Sequence, residues 1–153
     1  MSAHRKRVLA VASGGGHWVQ LRRLFEAFAE CDLALATVHA DYAEDVPSGA
    51  RFYTIQDATR WDRIGLIVLT FQMLRIVLIE RPNIVVSTGA APGYLALRIG
   101  KLLGARTIWI DSIANIEEVS LSGRRIRPHA DVWLTQWEHL ARPDGPKFIG
   151  AVL

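Results

Sequence analysis

Short apolar runs alternate with longer stretches in which apolar residues recur every three or four positions. Residues 7–12 form a run that stops at Ser13-Gly14-Gly15-Gly16, which predicts a buried strand followed by a turn. In residues 17–30 the apolar positions Val19, Leu21, Leu24, Phe25 and Phe28 follow helical spacing. Strands are predicted at 33–38 and, after a break at Pro47 to Gly49, at 51–55. Residues 61–80 make a long apolar helix that Arg81-Pro82 ends. A strand at 84–87 leads into Thr88-Gly89-Ala90-Ala91-Pro92-Gly93, with Pro92 suited to the first turn of a helix running to about Leu103 and Gly104 suited to its cap. Another strand follows at 107–110, and short late strands are predicted at 132–135 and 148–153.

Strands alternating with helices imply an α/β fold: a Rossmann-like, mostly parallel sheet with helices on both faces. With no internal repeat, low-complexity tract or linker, residues 1–153 read as a single domain. The apolar finish, Phe148 to Leu153, either packs into the sheet or is covered by something else.

Composition narrows the classes. Half of the 153 residues are hydrophobic, which argues against disorder, and a single cysteine excludes a disulfide framework or a cysteine-rich zinc site. Eighteen Lys and Arg against fifteen Asp and Glu leave a net charge of +3. That balance suits anionic small molecules or a lipid surface and is too weak to indicate nucleic acid. No apolar run reaches the roughly 18 residues of a membrane span, and the basic start lacks a signal-peptide cleavage pattern. The expected location is cytoplasmic, peripheral on the inner face of the cell membrane.

Candidate chemistry collects after the strands, where helix N-termini present free N–H groups to ligands. Ser13, Gly14, Gly15 and Gly16 let the backbone approach a phosphate or sugar; the glycines equally serve a tight turn. The loop is neither G-x-G-x-x-G nor a P-loop. His17 is a candidate general base or diphosphate contact. Thr88 and Gly89 lie in the second glycine turn, and the two turns together would form a cleft for an anion. Asp111 and Ser112 end the 107–110 strand, Asp111 being either a general base or a structural cap. Arg124 and Arg125 belong to a basic cluster suited to diphosphate or lipid headgroups. The 61–80 helix has only a narrow polar face, with Gly65, Gln72 and Arg75 on it. Trp61, Arg63, Leu66, Phe71 and Arg75 are therefore expected to meet a membrane interface or a partner. Trp137, Val152 and Leu153 are expected contacts near the chain end.

The Ser13-Gly14-Gly15-Gly16-His17 start is similar to the Gly-Gly-His opening of one half of certain sugar transferases. The stretch from Ser120-Leu121-Ser122-Gly123-Arg124 to Asp131, then Gln136-Trp137, resembles a more distinctive signature. With residues 85–92, these resemble the oligosaccharide-biosynthesis glycosyltransferase subunit family over nearly the whole chain. The eukaryotic member of that family anchors the dolichyl-diphosphate N-acetylglucosamine transferase, and bacterial relatives assist exopolysaccharide and capsule transferases. The resemblance implies the N-terminal, acceptor-side half of a GT-B enzyme, with a separate donor-binding subunit holding most of the UDP-sugar site. Two departures stand out: with no counterpart of the eukaryotic N-terminal membrane helix read in these residues, anchoring is expected to rest on surface contacts such as residues 61–80, and Asp111-Ser112 with Asn115 replaces a Glu-Ser pair followed by Arg.

The expected function is the acceptor-binding, membrane-associating subunit of a two-component inverting glycosyltransferase acting on a polyprenyl-diphosphate-linked saccharide. His17 or Asp111 would be the base, with no metal and no cofactor beyond the UDP-sugar donor. A non-catalytic docking module that brings the catalytic subunit to the membrane is the second reading. A dinucleotide-binding oxidoreductase is the third, weakened by an incomplete glycine fingerprint and a late Asp41.

Overall fold

The computed structural model describes residues 4–152. Seven strands form one parallel sheet: β1 (Arg7–Val11), β2 (Asp32–Thr37), β3 (Arg51–Thr54), β4 (Ile84–Ser87), β5 (Arg106–Ile110), β6 (Val132–Thr135) and β7 (Lys147–Phe148). Their order is β3-β2-β1-β4-β5-β6-β7, with every neighbouring pair parallel. The chain moves outward from β1 to β3, returns to β4 beside β1, and then moves outward the other way. β1 and β4 therefore flank the topological switch point, where open α/β sheets bind ligands beyond the carboxyl ends of their strands.

Burial on both faces explains the continuous apolar runs. Leu9, Val11, Ala34, Ala36 and Val85 face one layer, which contains Leu69, Met73 and Val77 of α2 (Arg63–Glu80), Ala96 and Leu97 of α3 (Ala90–Leu102) and Ile126 of α4 (Leu121–Ile126). Val8, Ala10, Leu33, Leu35 and Val86 face the opposite layer with Trp18 and Leu21 of α1 (Gly16–Arg22). Helices on both faces match the fold the sequence predicts.

Several boundaries differ from expectation. The helix predicted at 17–30 ends at Arg22 and gives way to a 3-10 turn, Phe25–Phe28. The tighter turn brings Phe25 and Phe28 together against the Trp18 layer. The long helix begins at Arg63 instead of residue 61, because Asp62 is its N-cap and accepts the Gly65 N–H at 2.8 Å. Only Lys147 and Phe148 of the chain end pair with the sheet, so the 148–153 strand is not formed; Leu153 lies outside the described residues. The short α4 has no strong periodic signal. It forms because Ser120 caps the Gly123 N–H at 2.9 Å.

An ion cluster ties β3 to the end of α2. The Arg51 guanidinium contacts the buried Glu80 carboxylate at 2.6 Å and Asp32 at 2.7 Å, and the Tyr53 hydroxyl donates to Glu80 at 2.5 Å. Burial works to raise the Glu80 pKa. The hydrogen bonds from Arg51 and Tyr53, with the charge of Arg51, outweigh it and hold the group below its ordinary 4.5. A depressed carboxylate stabilises the fold above its unfolded value, and that contribution is lost as pH falls through the folded one. Melting temperature is thus expected to fall below about pH 4.5. In thermal melts of Glu80→Gln the drop between pH 7 and pH 3 should be smaller by about 2–4 °C; an identical drop would refute the assignment.

Candidate functional site

The two glycine turns meet at the switch point. Val11 of β1 lies in register with Ser87 of β4, so the segments after them emerge side by side. His17 joins them: its Nδ1 lies 2.9 Å from the Thr88 carbonyl oxygen, and the Thr88 hydroxyl donates to the His17 carbonyl at 2.6 Å. A side chain at residue 89 would put Cβ 2.6 Å from the imidazole, and Gly89 holds φ at 135°, so glycine alone fits under this ring. Ala90 follows with φ of 67°, a conformation costly for a residue with a side chain. With Nδ1 carrying its proton toward Thr88, Nε2 is the imidazole's free acceptor.

On the other side of the rim, the Gly15 N–H donates to the Tyr42 hydroxyl at 3.1 Å, and the His39 ring lies 2.6 Å from where a Cβ on Gly14 would be. Apart from the adjoining residues and the helix's own backbone, no described atom stands within 4 Å of a Cβ built on Gly15 or Gly16. The shelf over these two residues is open, and the Gly16 and His17 amides have no hydrogen-bond partner among the described residues. Sequence reasoning missed His39 and Tyr42. Their signal was position: both follow β2 at the edge that carries the other candidates.

Asp111 is placed at this edge but faces inward, 2% exposed. Its Oδ1 accepts from Trp109 Nε1 at 3.1 Å and the Ser120 hydroxyl at 2.5 Å; its Oδ2 accepts from Ser120 N–H at 2.8 Å and Asn115 Nδ2 at 3.2 Å. Four donors fill the carboxylate's acceptor sites and fasten the 112–120 loop. Ser112 is 8% exposed, and its oxygen is engaged by Gln20 and the Ala114 N–H. Thr88 is fully buried. These three side chains build the rim and do not project from it. The Ser13 carbonyl accepts from the Thr37 hydroxyl at 3.3 Å.

Arg124 and Arg125 are exposed on α4, and neither hydrogen-bonds to the glycine turns; Arg124 pairs with Glu118 at 3.1 Å. Trp61, just before α2, and Arg63, Phe71 and Arg75 on it are exposed, whereas Leu66 packs partly against the core. Gly65 also turns inward, so α2 has no continuous polar face. Ile64 at 77%, Ile67 at 57% and Phe71 at 68% exposure extend an apolar stripe to Leu78. The Arg60 guanidinium lies over the Trp61 ring, 4.6 Å from its centroid. Trp137 is half-buried and donates from Nε1 to the Ile113 carbonyl at 2.8 Å, while Val152 donates its N–H to Gln136 Oε1 at 2.8 Å. Among the described residues, no helix is long and apolar enough to cross a membrane, and no three His, Cys, Asp or Glu side chains group to hold a metal ion.

A parallel sheet with its ligand edge at this switch point defines a Rossmann-like lobe of the kind found in GT-B glycosyltransferases. MurG of Acinetobacter baumannii superposes with a TM-score of 0.76 at 13% identity, covering 94% of this chain and 45% of that one. UDP-N-acetylglucosamine 2-epimerase of Rickettsia bellii superposes at 0.67 with 15% identity, over 89% of this chain and 40% of that one. The chain thus spans less than half of either protein. Residues 63–152 match the family described as oligosaccharide biosynthesis protein Alg14 like, and the chain belongs to that family. Two fungal proteins, each named UDP-N-acetylglucosamine transferase subunit ALG14, are similar to it. The protein of Eremothecium gossypii is 24% identical over 90% of this chain and 75% of its own length; that of Yarrowia lipolytica is 23% identical over 92% and 64%. Both relatives are fungal subunits, not bacterial exopolysaccharide or capsule proteins.

Proposed function

We propose that the chain is the acceptor-side subunit of a two-part inverting glycosyltransferase, with UDP-N-acetylglucosamine as donor and a polyprenyl-diphosphate-linked saccharide as acceptor. The observation that carries this reading is the open shelf at Gly15 and Gly16 beside His17, at the switch point of a lobe whose family relatives are named transferase subunits. The acceptor diphosphate or sugar lies against the Gly14 to Gly16 backbone. An acceptor hydroxyl attacks the anomeric carbon, its proton passes to His17 Nε2, and the bond from that carbon to the UDP oxygen breaks with inversion. The second subunit binds the nucleotide and stabilises the departing charge with preorganised donors. Asp111, with its oxygens occupied, maintains the loop, and the base role passes to His17. The exopolysaccharide and capsule setting is the narrower form of this reading and is tested by the choice of acceptor.

The decisive experiment is reconstitution. The purified chain alone is expected to transfer no sugar, and adding the donor-binding subunit should restore transfer to a polyprenyl-diphosphate acceptor. Turnover by the chain alone would overturn the half-enzyme reading.

Membrane contact is assigned to the apolar stripe of α2, with Arg60, Arg63, Arg75 and Arg81 meeting anionic headgroups. In flotation with vesicles containing phosphatidylglycerol, Ile64→Glu with Phe71→Glu should lower bound protein about tenfold or more, since each substitution places a charge among acyl chains. Unchanged flotation would move the contact elsewhere. The docking-module reading is favoured by the burial of Thr88 and Asp111, and His17 separates it from the catalytic one.

A further inference from the structure

Two buried glutamines form a network that the transfer chemistry leaves unused. Gln20 of α1 and Gln136, just after β6, are each 4% exposed. Buried amides at that depth require partners for their polar atoms. Gln136 Nε2 donates to Gln20 Oε1 at 2.5 Å and to the Asp111 carbonyl at 3.0 Å. Gln20 Oε1 also accepts the Ile113 N–H at 3.1 Å. Gln20 Nε2 donates to the Gly16 carbonyl at 3.2 Å and to Ser112 Oγ at 3.1 Å. Both donors and both acceptor sites of Gln20 are thereby used, which fixes the orientation of its amide.

The remaining side of Gln136 faces the C-terminal segment. Its Oε1 accepts the Val152 N–H at 2.8 Å, and the Val152 carbonyl accepts from Arg23 Nη1, at the end of α1, at 3.0 Å. Hydrogen bonds thus run without interruption from Val152 through Gln136 and Gln20 to Gly16, the residue before His17. Earlier in the same segment, Ile149 is 78% exposed, so the segment carries apolar surface available to a second polypeptide.

We propose that Gln20 and Gln136 are positioning residues that couple the seating of residues 149–152 to the placement of Gly16 and His17 at the rim. When Val152 is withdrawn, Gln136 Oε1 loses its partner in a dry site. The shared amide pair re-aims to recover one, and the hold of Gln20 on the Gly16 carbonyl changes with it. The effect on turnover rests on the two-part reading above, whereas the coupling is a property of this chain alone.

The test compares the isotope-labelled chain of residues 1–153 with one of residues 1–150, reading the Gly16 amide and His17 ring resonances. Truncation is expected to displace both signals, and the displacement should vanish in Gln20→Met and Gln136→Met. Unmoved signals on truncation, or an equal displacement in the variants, overturns the coupling. Should either methionine variant fail to fold, Gln20→Asn or Gln136→Asn, too short to span the network, serves with the same expectation. In the reconstituted transferase, Gln20→Met should lower kcat about tenfold, with donor KM and affinity for the second subunit unchanged. A matching loss of subunit affinity would overturn the positioning role. If no combination with a second subunit turns over, the two-part reading fails, and the resonance measurement still decides the coupling.

Discussion

His17→Ala in the reconstituted two-subunit transferase will lower kcat by about 10²- to 10⁴-fold, the range expected for removing a general base. The geometry sets that expectation. The Nδ1 contact with the Thr88 carbonyl at 2.9 Å fixes the ring over Gly89, and Nε2 has no hydrogen-bond partner among the described residues. A base held in one tautomer and one orientation needs no reorganisation when the acceptor hydroxyl arrives. Donor KM should change little, because the nucleotide is assigned to the other subunit. His17→Gln is the informative companion: it can restore a hydrogen bond near Thr88 but cannot accept the proton, so it should remain as slow as alanine. Full turnover by either variant, with the subunits still assembled, would exclude a base at this position and favour the docking-module reading.

The parts of this site that the sequence displays are those fixed by backbone demand. Glycines at 14–16 and 89 follow apolar runs, and the alternation of runs and helical spacing implies a parallel sheet whose strand ends share an edge. Directions of side chains are a different matter. Asp111 and His17 are both polar residues after strands, but burial behind the 112–120 loop depends on Ser120 and Asn115, which only the folded chain brings back to Asp111. The phase of α1 was also hidden. Its apolar spacing favours Val19, yet Val19 is 43% exposed and Trp18 is buried, stacked on Tyr42 and donating to Asp45. Once Trp18 and Leu21 face the core, Gln20 is carried to the buried side next to β5 and β6. Its partner Gln136 is 116 positions away, beyond the reach of any local pattern. On α2, by contrast, the near absence of a polar face was legible from composition, and the exposed Ile64, Ile67 and Phe71 follow from it.

Asp111→Asn is expected to act on stability more than on chemistry, costing on the order of 3 kcal/mol. In a chain of this size that corresponds to a melting temperature lower by roughly 6–12 °C. Each carboxylate oxygen takes two donors, and an amide nitrogen in place of either one meets N–H groups head-on: the Trp109 indole at one position, where the Ser120 hydroxyl can turn to accept, or the Ser120 and Asn115 N–H groups at the other. The site is 2% exposed, so water cannot restore what is lost without opening the 112–120 loop. Gly123 adds a steric limit: a Cβ there would approach Asp111 Oδ1 to 2.9 Å, so α4 sits directly on the carboxylate and its mooring loosens with it. Thermal or urea melts of the isolated chain check this without any partner. The same variant in the assembled transferase, assayed well below its melting point, should keep kcat within about tenfold of wild type, since no acceptor proton can reach an oxygen whose lone pairs are occupied. A variant that melts like wild type yet has lost turnover would return the base role to Asp111 and remove it from His17.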